Sequence, residues 1–514
     1  MAGNVLYYGD NLHVLRKWIE DESVDLIYLD PPFNSKKAYN QIYKDSKAQE
    51  QVFKDYWDWD DTADEAYRQL VGVESPAPKP AIEMLQAFRR ALGKEDPMPY
   101  LVMMTERLIE LRRVLKPNGS MYLHCDPTAS HYLKIILDTL FAPECFRNEV
   151  IWRYRRWPTK SRRFQRMHDV LLFYTKNRGN EHTFNTLYGY EKLATSTLKT
   201  FGTKKQVADF SSGHRKPGVE NKETQGPPLT DFWEVDDLER EDGLPLSDAW
   251  EVSVIAPIGR ERKLMLNGKV VHFKTQKPLK LLERVIRASS DKGQLVLDPF
   301  CGCGTAVLAA QMDGRRWIGI DIAPQAVDII RNRFAEIGVE PRVEGLPVDY
   351  AGARKLADED KLGFQRWMVY KAHGRQLEGR QRGPGDKGVD GEIIFQDGGR
   401  TLRCILSVKG GNTNPSAVRD LIGTVSNENA FMGVLLLMNE PSKSMRDAAR
   451  DAGHVLSSSG HECRRIQILT AQQLLDGERP ELPGRNVTPS DRPGVRKGQV
   501  ALPFEEASRK RKRS

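Results

Sequence analysis

The sequence predicts an α/β protein with a mostly parallel sheet, followed by a second, smaller α/β domain. Residues 23–29 and 293–297 are apolar runs of strand length, as expected for strands buried on both faces. Each run ends in an aspartate and a proline- or glycine-rich turn, at the edge where open α/β sheets bind ligands. The pattern of elements changes after about residue 345, which indicates the second domain.

The first turn has the sequence Asp30-Pro31-Pro32-Phe33. Its prolines restrict the backbone, which would aim the Asp30 carboxylate and a neighbouring backbone carbonyl at one ligand. Two acceptors suit a base amine, because hydrogen bonds to both N–H groups favour the pyramidal form that attacks a methyl sulfonium. Phe33 would stack on that base, which must leave a duplex at a cost of roughly a few kcal/mol. In isolation the motif is equally compatible with a plain strand-ending turn.

The second turn begins at Asp298 and has the sequence Asp-Pro-Phe-Cys-Gly-Cys-Gly-Thr. Gly302 and Gly304 allow a tight turn against a ligand, and a predicted helix and strand follow, with the strand ending at Asp321. An acidic residue at that distance from the glycines can hold ribose hydroxyls. The segment predicts a nucleoside site, and the absence of a G-x-G-x-x-G spacing favours S-adenosylmethionine over a dinucleotide.

Three weaker motifs accompany the two turns. Tyr8-Gly9-Asp10-Asn11-Leu12 lies one helix before the first strand, residues 113–123 combine a helix end, a turn and a strand, and Thr275-Gln276-Lys277-Pro278 precedes an apolar helical run. With the turns in this order, residues 1 to about 340 resemble the β-type amino-methyltransferases, which modify adenine N6 or cytosine N4 in DNA.

The resemblance implies a Rossmann-like S-adenosylmethionine-dependent methyltransferase fold with an inserted target-recognition region, acting on double-stranded DNA. It implies catalytic roles for Asp30, Pro31, Pro32 and Phe33. The residues that it assigns to S-adenosyl-L-methionine are Asp10, Thr275, Lys277, Asp298, Pro299, Phe300, Gly302, Gly304, Thr305 and Asp321.

The first turn also bears on the target base. Within this family an Asp at its first position is commoner in adenine enzymes, whereas cytosine-N4 enzymes usually carry Ser in place of Asp30. The resemblance therefore implies adenine N6, with cytosine N4 as the alternative. Cytosine C5 methylation is excluded because the sequence has no Pro-Cys pair to supply a thiolate nucleophile. A non-enzymatic DNA-binding protein is a further class, and it would require an empty cofactor pocket.

A basic segment lies between the two turns. From Trp152 to Arg166 it interleaves aromatic residues with cations, a composition that suits phosphate contacts and base stacking. A solvated basic face is the alternative. The following residues 203–247 are rich in Gly, Pro, Ser and charge and predict loops. The expected DNA contacts are Arg153, Arg155, Arg156, Lys160, Arg162 and Arg163.

Residues 362–478 resemble a restriction-endonuclease-like domain, in which an Asp and a second acid two residues before a Lys hold a divalent metal. Asp390 and Lys409 match this pattern, but Ser407 replaces the second acid, and one carboxylate with a hydroxyl binds Mg²⁺ weakly. Glu392 would compensate only if its strand were regular. The domain is therefore an active nuclease using Mg²⁺, which would make the chain a fused restriction-modification enzyme, or a DNA-binding remnant, or an unrelated fold.

Composition is that of a nucleic-acid enzyme: the 514 residues carry a formal net charge of +8. No apolar run reaches the roughly 18 residues of a membrane span and no signal-peptide pattern is present, so we expect a cytoplasmic protein without membrane contact. The six cysteines show no C-x-x-C spacing, so neither a metal site nor a disulfide framework is predicted. Dimers are common among similar enzymes, which makes a homodimer a candidate assembly.

Together these observations divide the chain into five segments. The predicted segments are a catalytic half at 1–150, a basic target-recognition region at 151–270, a cofactor half at 271–345, an endonuclease-like domain at 362–478, and a disordered basic tail at 479–514.

Overall fold

The computed structural model describes most of the chain, with gaps. The described residues are 4–32, 37–43, 49–55, 59–95, 97–154, 162, 164, 167–187, 206–209, 214–217, 231–234, 264–266, 269–272, 276–377, 388–486 and 488. Only the backbone is described for residues 37–43, 49–55, 206–209, 214–217, 232–234, 264–266 and 269–272.

A nine-stranded sheet forms the centre of the first unit. His168–Thr175 is antiparallel to both of its neighbours, and the other pairs are parallel. Successive side chains point to opposite faces, so Tyr28 lies in one buried cluster and Ile27 in another. Across the sheet the order is Phe232–Glu234, Phe146–Arg153, His168–Thr175, Leu115–Cys125, Val24–Leu29, Leu295–Asp298, Arg316–Asp321, Val5–Tyr8 and Arg342–Glu344.

Helices cover both faces of this sheet, which confirms the predicted α/β class. On one face lie Asn11–Trp18, Met98–Val114 and Ser130–Phe141, and on the other Leu279–Ser289, Thr305–Met312 and Pro324–Ala335. Asp61–Val71 and Lys79–Leu92 pack against Met98–Val114, and a short 3-10 helix spans Pro143–Cys145.

The strand order reverses between Val24–Leu29 and Leu295–Asp298, which are neighbours in the sheet. The chain continues from the first of these strands to Leu115–Cys125 on one side, and from the second to Arg316–Asp321 on the other. Such a reversal opens a crevice at the carboxyl ends of the two strands, the usual ligand site of an open α/β sheet. Both predicted turns begin there.

The expectation of loops over residues 203–247 is wrong for the described part of that range. Gln206–Asp209 and His214–Pro217 form an antiparallel hairpin, and Phe232–Glu234 extends the nine-stranded sheet beside Phe146–Arg153. The prediction of loops rested on the polar composition of these segments. Pairing with another strand stabilises such segments in spite of that composition. A separate antiparallel sheet contains Leu264–Leu266, Lys269–His272, Lys37–Tyr43 and Gln49–Asp55.

The second α/β unit has a six-stranded mixed sheet. Arg400–Lys409, Met432–Leu437 and Ile466–Thr470 are parallel neighbours, and Gly391–Asp397 is antiparallel to the first of them. Arg375–Gln376 and Arg485–Asn486 complete this sheet, and His454–Leu456 and Glu462–Arg464 form a separate antiparallel pair. The helices are Tyr350–Glu359, Lys361–Lys371, Pro415–Asn427, Lys443–Asp451 and Ala471–Leu475.

Lys361–Lys371 attaches the second unit to the first. The Tyr8 hydroxyl donates a hydrogen bond to the carbonyl of Gly363 (2.8 Å). Trp367 on the same helix is fully buried in a cluster that also contains Leu6 and Tyr8. The two units therefore share one apolar core.

The sheet of the second unit also includes residues beyond 478, the predicted end of the second domain. Arg485–Asn486 pairs with Phe395 and Gln396, and the Thr488 hydroxyl accepts from the N–H of Ile394 (2.7 Å) and donates to its carbonyl (3.1 Å). The segment covers backbone groups of an edge that would otherwise be exposed, which its Pro- and Gly-rich composition did not reveal. The rest of the predicted tail, residues 489–514, lies outside the described residues.

Two further predictions concern the membrane and the cysteines. Among the helices that the structure describes, none has both the length and the apolar character needed to cross a membrane. All six cysteines are buried free thiols.

Truncation after Gly477 should lower the free energy of unfolding of the second unit by about 2–4 kcal/mol, because it removes several hydrogen bonds worth about 1 kcal/mol each. Urea denaturation followed by circular dichroism measures this difference. A chain truncated after Ser490 is the matched control and should unfold like the full-length protein. Equal stability of the two truncated chains would show that the last strand contributes nothing.

Candidate active site

Three aspartates lie at the carboxyl ends of neighbouring strands. In the register of the sheet, Asp298 is level with Tyr28 on one side and with Gly319 on the other. Asp30 and Asp321 follow these neighbours by two residues, so the pleat turns all three carboxylates to the same face. The fold therefore brings together the three acids that the sequence predicted for one site.

Asp30 is held by Lys277, which precedes helix Leu279–Ser289. The Lys277 Nζ lies 2.5 Å from Oδ2 of Asp30, and the two side chains are only 8% and 16% exposed. The other oxygen, Oδ1, is buried and has no hydrogen-bond partner among the described residues. A buried polar atom without a partner costs about 1–3 kcal/mol, so Oδ1 is an acceptor suited to a donor on a ligand.

Asp298 lies between the other two acids and is 3% exposed. Its Oδ1 accepts a hydrogen bond from the N–H of Phe300 (3.1 Å). Burial raises the pKa of Asp298 well above its ordinary value, and the charges of Asp30 and Asp321 raise it further. The crevice thus concentrates negative charge and favours a cationic ligand.

Asp321 connects the glycine turn to the end of the next strand. Its Oδ2 accepts from the N–H of Gly302 (2.6 Å) and its Oδ1 from the N–H of Ala323 (2.8 Å). Burial raises the pKa of Asp321 to about 6, even though these N–H groups and the charge of Arg366 act in the opposite direction. Gly302 has a φ of 52°, which glycine adopts without strain.

Asp10 caps helix Asn11–Trp18. Its Oδ1 accepts from the N–H groups of Leu12 (2.9 Å) and His13 (3.3 Å), and its Oδ2 accepts from Arg107 (2.9 Å). Burial alone would raise the pKa of Asp10, but Arg107 and the two N–H groups hold it below its ordinary value. The N–H of Gly9, the residue before Asp10, donates a hydrogen bond to the backbone carbonyl of Asp321 (2.9 Å). This bond places Asp10 on the Asp321 side of the crevice.

Asn11, Arg107 and Arg333 support the second turn and were missed in the sequence. Asn11 donates to the Pro299 carbonyl (2.8 Å) and accepts from Nε of Arg107 (2.6 Å). Arg333 is 2% exposed and donates to the Cys303 carbonyl (2.7 Å). Asn11 could have been found from the sequence, because it belongs to the first of the three weaker motifs. No local sequence pattern marks the two arginines.

A buried chain of hydrogen bonds, also missed, links the catalytic strand to the start of the basic segment. The Tyr28 hydroxyl lies 2.9 Å from Nδ1 of His124, whose Nε2 is 3.4 Å from Asp169, and Tyr154 donates to Asp169 (2.9 Å). Burial would raise the pKa of Asp169, but its hydrogen bond with His124 contributes to holding the pKa below its ordinary value. The members come from separate parts of the chain, so no motif contains them.

The remaining predicted residues fall into two groups. Pro31, Pro299 and Thr305 are buried, Pro32 and Phe300 are half-buried, and Arg153 and Arg162 are exposed. The residues that lie outside the described part of the chain are Phe33, Thr275, Arg155, Arg156, Lys160 and Arg163.

The residues of this crevice fit S-adenosylmethionine. Its sulfonium and ammonium groups are cationic, which suits three neighbouring carboxylates, and Asp321 has the position that suits ribose hydroxyls. Gly304 starts helix Thr305–Met312 with a φ of 78°, and a Cβ added to it would lie 2.6 Å from Cγ1 of Ile330. The turn therefore follows its close path only with glycine at this position.

In the second unit, the candidate nuclease residues do not form a metal site of the expected kind. Oδ2 of Asp390 accepts from the N–H of Val408 (2.6 Å) and Oδ1 accepts from Gln365 (3.0 Å). Ser407, in the place of the second acid, is almost fully buried, and Lys409 ends its strand. Both oxygens of Asp390 are therefore engaged within the protein.

Glu392 does not replace the second acid. It is 2% exposed, and its two oxygens accept from Nε of Arg375 (2.8 Å) and Nε of Arg403 (2.8 Å). Burial would raise the pKa of Glu392, but the two arginines hold it below its ordinary value. The carboxylate is committed to these ion pairs.

Comparison with protein families gives two matches. Residues 24–332, more than half of the chain, match the model of the N6/N4 methylase family, described as DNA methylase. Residues 363–476 match a family described as NACHT-associated inactive Restriction Endonuclease 1.

Individual proteins are similar over about two thirds of the chain. The Type II methyltransferase M.EcaI of Enterobacter cloacae is 27% identical over 66% of this chain and 70% of its own length. The DNA adenine methyltransferase YhdJ of Escherichia coli is 26% identical over 62% of this chain and 78% of its own. The solved PvuII DNA methyltransferase, which is cytosine-N4-specific, aligns with 65% of this chain and 87% of its own at 14% identity and a TM-score of 0.31.

The first family match contains both predicted turns and all three aspartates of the crevice, whereas the second lies on the unit whose acids are engaged internally. The chain belongs to the N6/N4 DNA methylase family, and its C-terminal unit is similar to a family of restriction-endonuclease-like domains that is described as inactive.

Proposed function

We propose that the chain transfers a methyl group from S-adenosylmethionine to adenine N6 at specific sites in double-stranded DNA. The observation that carries the proposal is Oδ1 of Asp30, a buried acceptor without a partner among the described residues, at the crevice between the two strand ends. An exocyclic amine supplies the missing donor.

In this proposal Asp30 orients the target amine. Lys277 fixes Oδ2 of Asp30, so Oδ1 accepts one N–H of the amine, and a carbonyl of the proline turn accepts the other. Both hydrogen bonds favour the pyramidal nitrogen whose lone pair is free to react. When bound, S-adenosylmethionine supplies a methyl group on a positively charged sulfur, which this lone pair attacks. The base must leave the duplex to reach the crevice, and Phe33 would stack on it.

The cofactor side of the crevice would bind S-adenosylmethionine through charge and a close backbone approach. Asp321 accepts the ribose hydroxyls, Asp10 lies beside it, and the glycine turn runs along the ligand. Asp298 lies between Asp30 and Asp321, and a cationic group bound beside it would favour its ionised form. The proposal also places Thr275, Lys277, Pro299, Phe300, Gly302, Gly304 and Thr305 around the cofactor.

DNA would be held by the basic segment. Arg153 is exposed at the end of strand Phe146–Arg153, and the next residue, Tyr154, ends the buried chain that begins at Tyr28. The start of the segment is thereby anchored to the strand that precedes Asp30. Exposed cations anchored in this way suit phosphate contacts beside the crevice.

Adenine N6 is proposed over cytosine N4 because of the residue at the start of the first turn. At this position the adenine enzymes of the family more commonly have Asp, as here at Asp30, whereas the cytosine-N4 enzymes usually have Ser.

The proposed function also assigns a role to each of three segments of the chain. Residues 1–150 would form the catalytic part, residues 151–270 the DNA-reading part and residues 271–345 the cofactor part.

Asp30→Asn should lower the rate of methyl transfer by at least about 100-fold, because the amide places a donor where an acceptor is needed. The binding of S-adenosylmethionine, measured by isothermal titration calorimetry, should change little. Asp61→Asn, on the exposed start of helix Asp61–Val71, is the control and should keep full activity. Turnover retained by the Asp30 variant would remove this residue from its role.

The product base can be identified directly. Unmodified genomic DNA incubated with the protein and labelled S-adenosylmethionine, then digested to nucleosides, should give N6-methyladenine by mass spectrometry. Detection of N4-methylcytosine would support the proposed role of Asp30 in orienting an amine and would show that the target base is cytosine and not adenine. Absence of any methylated nucleoside, with the Asp30→Asn protein as the blank, would contradict the proposal.

The C-terminal domain should not cut DNA, because both oxygens of Asp390 and of Glu392 are engaged within the protein. Supercoiled plasmid incubated with the protein and Mg²⁺ or Mn²⁺, without cofactor, should remain intact on a gel. Cleavage that disappears in Asp390→Ala and in Lys409→Ala would show an active nuclease instead.

A further inference from the structure

One helix of the C-terminal domain, Lys361–Lys371, lies against the cofactor side of the methyltransferase. The carbonyl of Gly363 accepts from the hydroxyl of Tyr8 (2.8 Å), and Tyr8 is only 3% exposed. In the parallel register of their strands, Tyr8 is the direct neighbour of Asp321. Further along the helix, the Tyr370 hydroxyl donates to Asp328. The helix is thus fixed beside the strand end that carries Asp321.

Arg366 occupies the same face of this helix as Gly363, because residues three apart on a helix are neighbours. Its side chain is half-buried. Its positive charge acts on Asp10 and Asp321, the two carboxylates of the cofactor side. Burial raises the pKa of Asp321 and, acting alone, would also raise the pKa of Asp10. In both cases the charge of Arg366 lowers the pKa and so opposes burial. A cation of one domain therefore acts electrostatically on two acids of the other.

We propose that Arg366 is a positioning residue of the cofactor site, which keeps Asp321 ionised as an acceptor for the ribose hydroxyls, so that the C-terminal domain completes the methyltransferase. The inference rests on the proposed function, in which Asp321 binds the ribose. An ionised carboxylate accepts hydrogen bonds from both vicinal hydroxyls, whereas a protonated one offers a poorer set of acceptors.

Several other groups face Asp321, and they do not replace Arg366. Tyr8 and the Cys301 thiol have pKa values raised by burial, so both are neutral near pH 7. Asp298 carries no positive charge, and burial raises its pKa well above its ordinary value. The N–H groups of Gly302 and Ala323 hold the carboxylate in place but carry no net charge. Arg366 is the cation that acts on Asp321 from the packed helix.

The test is the affinity of the full-length protein for S-adenosylmethionine from pH 5 to pH 8, measured by isothermal titration calorimetry. Wild-type affinity should fall below about pH 6, as Asp321 takes up a proton. Arg366→Met should weaken binding about tenfold at pH 7 and move this fall to higher pH, because loss of the cation raises the pKa of Asp321. Arg366→Lys keeps the charge and should recover most of the affinity.

Tyr370→Phe is the matched control on the same helix, since it removes the hydrogen bond to Asp328 and leaves the two carboxylates alone. It should keep the wild-type affinity and pH profile. If it weakens binding as much as Arg366→Met without a pH shift in either variant, the helix acts only by packing and the inference is wrong.

Asp321→Asn separates the inference from the function on which it rests. This variant should bind weakly without the fall near pH 6, and adding Arg366→Met to it should weaken binding no further. If the wild-type protein binds no S-adenosylmethionine, both the proposed cofactor and the inference about Arg366 are wrong. Wild-type binding that depends on Asp321 but not on Arg366 overturns the inference alone.

Discussion

The parallel register of Val24–Leu29, Leu295–Asp298 and Arg316–Asp321 is the constraint on which the crevice depends. Side chains alternate along a strand, so a slip of one residue in any of the three would turn its aspartate to the opposite face. Asp25 fixes this register at the other end of the strands, because its carboxylate accepts from the N–H of Leu295 (2.8 Å) and pairs with Lys116 (2.7 Å). Three acids that are far apart in the chain thus meet on one face.

Their meeting has an electrostatic cost that the ligand can offset. Burial and mutual repulsion raise the pKa of Asp298, and burial raises that of Asp321. Lys277 compensates part of the negative charge from one side and Arg366 from the other. A cationic ligand would supply the rest. For the proposed methyl donor this attraction has a direction, since transfer leaves a neutral sulfur and removes one positive charge from the crevice. Product release is favoured by the same acids that favour binding of the donor.

Local patterns predicted the parts of the site that a single segment of chain determines. The local sequence determines the geometry where a buried strand is followed by Asp30 and two prolines, or by Asp298 and a glycine turn. The predicted helix and the predicted strand that ends at Asp321 are also present in the structure. The contacts that hold these turns could not be predicted in this way. Arg107 reaches the site from a helix that is distant in the chain, and Arg333 from the helix that follows Asp321, and the local sequence around each gives no sign of it. Strand pairing is non-local too, so the local composition around Arg485–Asn486 predicts a tail although these residues pair with the sheet.

The C-terminal domain has a structural reason to contain Asp390 without a second acid. In a nuclease a metal ion would balance two neighbouring carboxylates, and without the ion they would repel each other. Ser407 removes that repulsion, and Asp390 then binds the N–H of Val408 and the side chain of Gln365. Gln365 is adjacent to Arg366, so the hydrogen bond to Asp390 fixes the rotation of helix Lys361–Lys371 from the side opposite to Tyr8. If Arg366 is the proposed positioning residue, this hydrogen bond sets the direction in which its side chain leaves the helix.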